Sequence, residues 1–242
     1  QQLDRYARHI VLRDIGGTGQ MKLLKAKVGV IGAGGIGAPA LLYLAAAGVG
    51  HIGIIDDDAV SLSNLQRQII HGTKDIGQPK TQSADRSIQA INSDVIVTQH
   101  QTRLTVENAE DILKLYDIIL DGCDNFDTRF LANDIARKLG KTLISSAVGP
   151  FDGQLSTFKP KGPCYRCFVP EAPPGGGGTC ADEGVLGALT GVMGSLAAME
   201  VIKEITGAGD SLAGKILLYD ALSTRFRTIK LNQDPACRYC ED

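Results

Sequence analysis

The sequence predicts an α/β fold of Rossmann-like type: a mostly parallel sheet flanked by helices, ending in antiparallel C-terminal strands. Three observations predict it. Short apolar, β-rich runs alternate with helical patterns through the first two thirds of the 242 residues. A glycine-rich segment, Gly32-Ala33-Gly34-Gly35-Ile36-Gly37, follows the first of those runs and opens a helical pattern. Beyond residue 150 the alternation changes, and the remaining β-runs read as antiparallel neighbours.

Taken in order, Lys27–Ile31 is a short buried strand, and Gly35–Ala47 is a helix whose small residues allow close packing. His51–Asp56 is a second strand. Pro79–Ile91 is a helix opened by proline, a residue favoured in a first turn. Val95–Gln101 is a strand, Val106–Leu115 a helix and Asp117–Asp121 a strand; Asp127–Leu139 is a helix and Thr142–Ala147 a strand. Such repeated units imply parallel neighbours joined by right-handed crossovers. Gly153–Lys159, Lys215–Asp220 and Arg225–Leu231 are the antiparallel-style strands, and Val185–Ile205 is the longest helix. Pro170–Glu183 is a Pro/Gly-rich loop that local propensity does not fix. The chain reads as a single domain in three stretches: a helical segment over 1–26, the glycine-loop part over 27–150, and a C-terminal part over 151–242.

Composition narrows the function. The hydrophobic fraction of 43% and charged fraction of 21% suit a globular protein with a full core. A net charge of −2 offers no basic field for nucleic acid or a membrane surface. No apolar run approaches the ~18 residues that span a bilayer, and the first residues are polar rather than signal-like. The expected location is cytoplasmic.

The glycine segment stands where a fingerprint for nucleotide phosphates belongs. Its glycines let the backbone approach phosphate, and the helix N-terminus favours negative charge. Asp56 ends the next strand, where a carboxylate can accept hydrogen bonds from ribose hydroxyls. NAD and ATP both carry a ribose, so these residues do not choose between them. The polar cluster that follows does. Arg67 can fork two donors onto phosphate oxygens, Asn64 adds a neutral donor, and Lys80 sits at a helix start. Any one of the three alone would read as a solvated surface residue. Asp124 follows a strand's C-terminal end, a place for a carboxylate that holds Mg²⁺; capping the next helix is the alternative for Asp121 or Asp124. Cys123 is expected to be structural.

Six cysteines are present. Cys164/Cys167 and Cys237/Cys240 form two Cys-x-x-Cys pairs, the spacing of a closed, structural four-thiolate Zn²⁺ site. Cys180 stands alone in the glycine-rich loop.

Arg5-Tyr6-x-Arg8, the glycine loop, Leu62-Ser63-Asn64-Leu65-Gln66-Arg67-Gln68, Gly77-x-Pro79-Lys80, Asp124-Asn125, Cys164-x-x-Cys167, Gly191-Val192-Met193-Gly194 and Cys237-x-x-Cys240 stand in an order that resembles the MoeB/ThiF family, adenylyltransferases related to ubiquitin-activating enzymes. The resemblance covers nearly the whole chain. It implies ATP-dependent adenylylation of the C-terminal Gly-Gly carboxylate of a ubiquitin-like sulfur-carrier protein, with release of pyrophosphate. It implies ATP and Mg²⁺ in the reaction and a structural Zn²⁺. The nucleotide site would comprise Gly35, Asp56, Ser63, Asn64, Leu65, Gln66, Arg67, Lys80, Asp124 and Asn125. Arg67, Lys80 and Asp124 would carry catalysis together with Arg8, which would reach in from the second subunit of a homodimer. The 151–242 stretch would bind the carrier and the zinc. The molybdopterin-synthase carrier is the expected substrate, with those of thiamine synthesis and tRNA thiolation as alternatives. For Cys180 the resemblance implies two readings: an ordinary loop cysteine, or a covalent link to the carrier's C-terminus of the kind that a cysteine in this segment forms in some members. The chain ends at Asp242 without a rhodanese-like segment, so a separate sulfur donor is expected. Two readings of other classes remain: an NAD-dependent oxidoreductase and a non-catalytic zinc-bearing adaptor.

Overall fold

The computed structural model describes residues 2–173 and 184–240. Eight strands form one sheet in the order β3-β2-β1-β4-β5-β6-β7-β8. Strands β1 (Lys27–Ile31), β2 (His51–Ile55), β3 (Ile96–His100), β4 (Ile118–Asp121) and β5 (Thr142–Val148) run parallel. Strands β6 (Asp152–Phe158), β7 (Lys215–Asp220) and β8 (Arg225–Lys230) extend the sheet with antiparallel pairing. The mixed sheet expected from the sequence is therefore present, and every expected strand lies within a residue or so of its place.

Helices cover the sheet on both faces. Helices α1 (Gln2–Arg5), α2 (Ala7–Ile10) and α3 (Gly16–Lys25) precede it, and α4 (Gly37–Ala47) and α5 (Lys80–Ile91) follow β1 and β2. Next come α6 (Ala109–Leu113), α7 (Phe126–Lys138), α8 (Tyr165–Phe168) and the 20-residue α9 (Gly187–Thr206). One core packs Val28, Val30, Ile52 and Ile54 against Leu41, Leu44, Ile88 and the apolar face of α9. The other packs Ile31, Ile55 and Ile119 against Leu113, Tyr116, Phe130 and Ala136. Strands buried on both faces explain why β1, β2 and β4 are apolar nearly throughout rather than alternating.

Two differences from the sequence reading have clear causes. The helix expected from Gly35 begins at Gly37, because residues 33–36 are spent turning the chain out of β1. The helix expected to open at Pro79 opens at Lys80, with Pro79 at the preceding cap position in extended geometry. Cys180, and most of the Pro/Gly-rich loop, lie outside the described residues.

Candidate active site

Strand β1 has β2 on one side and β4 on the other, so connections leave it in opposite directions and open a crevice at the strands' C-terminal ends. A cleft of about 380 Å³ lies there, within the range of small-molecule sites. The glycine loop forms one wall. Gly32 has φ of +88°, a conformation that suits glycine, and a Cβ on Gly37 would stand 1.8 Å from the Gly32 carbonyl oxygen. The sequence therefore dictates a tight return at this point.

Asp56, just past β2, braces that loop: Ala33 N–H donates to its Oδ2 (2.8 Å) and Asp58 N–H to its Oδ1 (2.9 Å). Burial pushes the Asp56 carboxyl up from its ordinary range, against the opposing pull of Lys80 and the two backbone N–H groups. Lys80 is only 5% exposed, and its Nζ donates to Asp58 Oδ2 at 2.8 Å. Arg67 donates from Nη1 to the Ser63 carbonyl at 3.2 Å. Both cations line the cleft beside Gly34 and Gly35, which gives one end of it the charge to receive phosphate.

The floor is held by a buried ion pair. Asp121 has no exposure; its carboxylate accepts from Arg129 Nε (3.0 Å), Ser145 Oγ (2.7 Å) and Cys123 N–H (3.0 Å). Arg129 also donates to the Cys123 carbonyl, which fixes the turn that presents Asp124. The Cys123 thiol is pushed well up, by burial first and by Asp121 next, so it stays protonated and structural, as expected. Helix capping belongs to neither aspartate. Asn125, in extended geometry just before α7, accepts from Thr128 N–H at 2.9 Å, leaving Asp124 exposed at the cleft's edge.

Six of the expected nucleotide residues thus meet in one cleft: Gly35, Asp56, Arg67, Lys80, Asp124 and Asn125. Ser63, Asn64, Leu65 and Gln66 are not among its lining; Asn64 instead accepts from Ser61 N–H and closes its own 3-10 turn. Arg8 is exposed on α2. Its neighbour Tyr6 packs under Gly48 at the C-terminal end of α4 and accepts from Asn92 at the end of α5, so Arg8 stands at the opposite end of those helices from the cleft. Gln68, Arg103 and Thr190 line the cleft without having been assigned to it. Gln68 lay in a quoted motif and Thr190 directly precedes another, Gly191-Val192-Met193-Gly194, whereas nothing local marks Arg103; the fold alone brings it in.

The four paired cysteines converge elsewhere, with ligand atoms all within 4.8 Å of one another. Cys164 and Cys237 sulfurs are 3.8 Å apart and those of Cys167 and Cys240 3.5 Å. A tetrahedron with Zn–S bonds of ~2.3 Å has edges of about 3.8 Å, so the donor set and its spacing fit zinc. Arg137 ties this cluster to α7 by donating to the carbonyls of Gly162 and Cys240.

The family model described as the ThiF family matches residues 6–239. A sulfur carrier protein adenylyltransferase from Thermus thermophilus is 47% identical, over 100% of this chain and 92% of its own length. A SAMP-activating enzyme E1 from Haloferax volcanii is 45% identical over 99% of this chain and 89% of its own length. A probable adenylyltransferase/sulfurtransferase MoeZ from Mycobacterium tuberculosis is 50% identical, but the match spans only 62% of its length. Among solved structures, E. coli MccB with ATP superposes with a TM-score of 0.84 at 24% identity, over 98% of this chain and 74% of that one; this likeness speaks to the fold. With an ordered motif set, a switch-point cleft and a match along nearly its whole length, the chain belongs to the ThiF family.

Proposed function

We propose that this adenylyltransferase transfers AMP from MgATP to the C-terminal carboxylate of a ubiquitin-like sulfur carrier. The observation that carries the reading is the convergence of the glycine loop, Asp56, Arg67, Lys80 and Asp124 on one cleft. In the reaction a carboxylate oxygen forms a bond to the α-phosphorus, and the bond from that phosphorus to the bridging oxygen breaks. Pyrophosphate leaves with the electron pair. A C-terminal carboxyl with a pKa of ~3.5 is already ionised at neutral pH, so no general base is needed. The work falls to positioning and charge neutralisation. Loop amides and Lys80 would hold the phosphates, Arg67 the charge that develops between them, and Asp124 the Mg²⁺ that accompanies ATP. Gly149, Asp152 and Gln154, which line the cleft where β5 passes into β6, would admit a Gly-Gly tail, which brings no side chains. We favour the molybdopterin-synthase carrier as substrate.

The active unit would be a homodimer, because Arg8 stands at the wrong end of its own chain to reach its own cleft. One experiment tests the shared site and the magnesium role together. Arg8→Ala and Asp124→Ala homodimers should each lose carrier-dependent pyrophosphate exchange, by at least ~100-fold. Mixed dimers place both defects in one site and restore the other, so exchange should return. No recovery in confirmed mixed dimers would exclude a trans Arg8, and full activity of the Asp124→Ala homodimer would exclude the magnesium role.

A further inference from the structure

His71 is a buried histidine that the phosphate chemistry leaves unused, and its contacts lead straight to the glycine loop. Its Nε2 stands 3.0 Å from the Ala33 carbonyl oxygen and its Nδ1 2.8 Å from Ser83 Oγ on α5. A carbonyl can only accept, so Nε2 carries the proton, while Nδ1 pairs with the Ser83 hydroxyl, which also bonds the Asp75 carboxylate. On the other side, Asp56 Oδ2 accepts from Ala33 N–H, Asp56 Oδ1 from Asp58 N–H, and Asp58 Oδ2 from Lys80. Ala33 is thus gripped at its N–H and its carbonyl by two arms, and both arms end on the first turn of α5, at Lys80 and Ser83.

Peptide geometry turns this grip into function. In a trans peptide the Ala33 carbonyl and the Gly34 N–H point in opposite directions. Gly34 lines the cleft, and a glycine imposes little resistance to rotation of the peptide that precedes it. We propose that His71 is a positioning residue: by holding the Ala33 carbonyl on the protein side, it aims the Gly34 N–H into the cleft at the phosphates of the nucleotide. This rests on the ATP reading of the cleft. The imidazole is suited to the role because it remains neutral: burial lowers its pKa, and Lys80 adds to that against the opposing pull of the Ala33 carbonyl and Asp75.

The discriminating quantity is phosphate-specific affinity. Adenosine engages Asp56, which keeps its anchor on Asp58 N–H, but makes no use of the loop amides; MgATP needs both. In His71→Phe, which retains a ring and removes the donor, Kd and KM for MgATP should rise about 10-fold. Adenosine affinity should stay within about twofold and kcat within about threefold. His71→Gln restores a donor and should recover most of the MgATP affinity. Ser83→Ala, which releases Nδ1 without emptying the site, should weaken MgATP about threefold and add nothing on top of His71→Phe. That variant also decides the matter should His71→Phe fold poorly. Equal loss of adenosine and MgATP affinity would mean a general structural role and overturn the proposal, as would unchanged MgATP affinity in His71→Phe. Failure of the unaltered protein to bind MgATP would instead remove the ATP reading itself, and this proposal with it.

Discussion

Asp121 and the histidines show how much of this protein's behaviour is settled by single side chains and their surroundings. Asp121 is fully buried, yet three donors surround it, the Arg129 guanidinium among them. Removing one member of such a pair strands a buried charge, a far larger effect than the net worth of the pair. The histidines have the opposite character. His51 is held below its ordinary pKa by burial and then Lys27, His100 by burial and then His51, and His71 by burial with Lys80. Each binds a proton less readily folded than unfolded. The unfolded chain therefore takes up more protons as pH drops below ~6.5, and stability is lost from there down to the folded-state pKa values. Urea unfolding at pH 7.5, 6.5 and 5.5 should show that decline, and His51→Gln should make it shallower; an identical slope in the variant would refute the contribution of His51. Which of these side chains lie against a cation or a carboxylate is visible only once the chain is folded.

At the scale of elements, the sheet's second face is organised around one aromatic. The Tyr116 ring lies across β1 and β2 where both strands carry glycine: a Cβ on Gly29 would stand 2.7 Å from the ring, and one on Gly53 2.0 Å from its hydroxyl oxygen. The hydroxyl is also 2.6 Å from His100 Nε2, which links the ring to β3. Glycines in strand interiors are ordinarily a weakness; here they make room for a side chain that joins three strands. Gly53→Ala should destabilise the protein by about 1–3 kcal/mol through overpacking. The same change in a Tyr116→Leu background should cost clearly less, as read by chemical denaturation. Equal costs in the two backgrounds would show that Tyr116 is not the reason for the glycine. Element boundaries were readable from apolar runs and from Pro and Gly punctuation. The pairing of Tyr116 with glycines more than sixty residues away along the chain was not, since no local pattern encodes it.

For the whole molecule, the thiolate cluster decides how the C-terminal end is held. Residues 237 and 240 return across more than seventy residues to meet Cys164 and Cys167, and Arg166 spans the junction, stacking on Phe130 and Tyr239 while pairing with Asp134. A metal holding four such ligands stabilises the folded chain by its binding free energy, since the unfolded chain offers no formed site. Purified protein should carry one zinc per chain by elemental analysis. Cys237→Ser should lower that content and the melting temperature, by roughly 5 °C or more. Full zinc occupancy in a variant lacking both Cys237 and Cys240 would rule out the four-thiolate site. Among the described residues no helix is long and apolar enough to cross a membrane.

The sequence by itself determined the mixed sheet, the glycine loop, the paired cysteines and the family, because each is written in local signals: apolar runs, spacing, and motifs in a fixed order. It also pointed to part of the cleft, since Asp56, Lys80 and Asp124 each follow a strand or open a helix at a place the fold predicts. Only the tertiary structure decided which of the named residues share the cleft. It set Arg8 at the far end of α4 and turned Asn64 onto its own backbone, and it brought Arg103 to the cleft from a segment with no motif. It alone joined His71 to Ala33, a contact between residues thirty-eight apart. The physical reason is that a side chain's chemistry is local, whereas its direction and its partners are set by the packing of elements that meet only when the chain is folded.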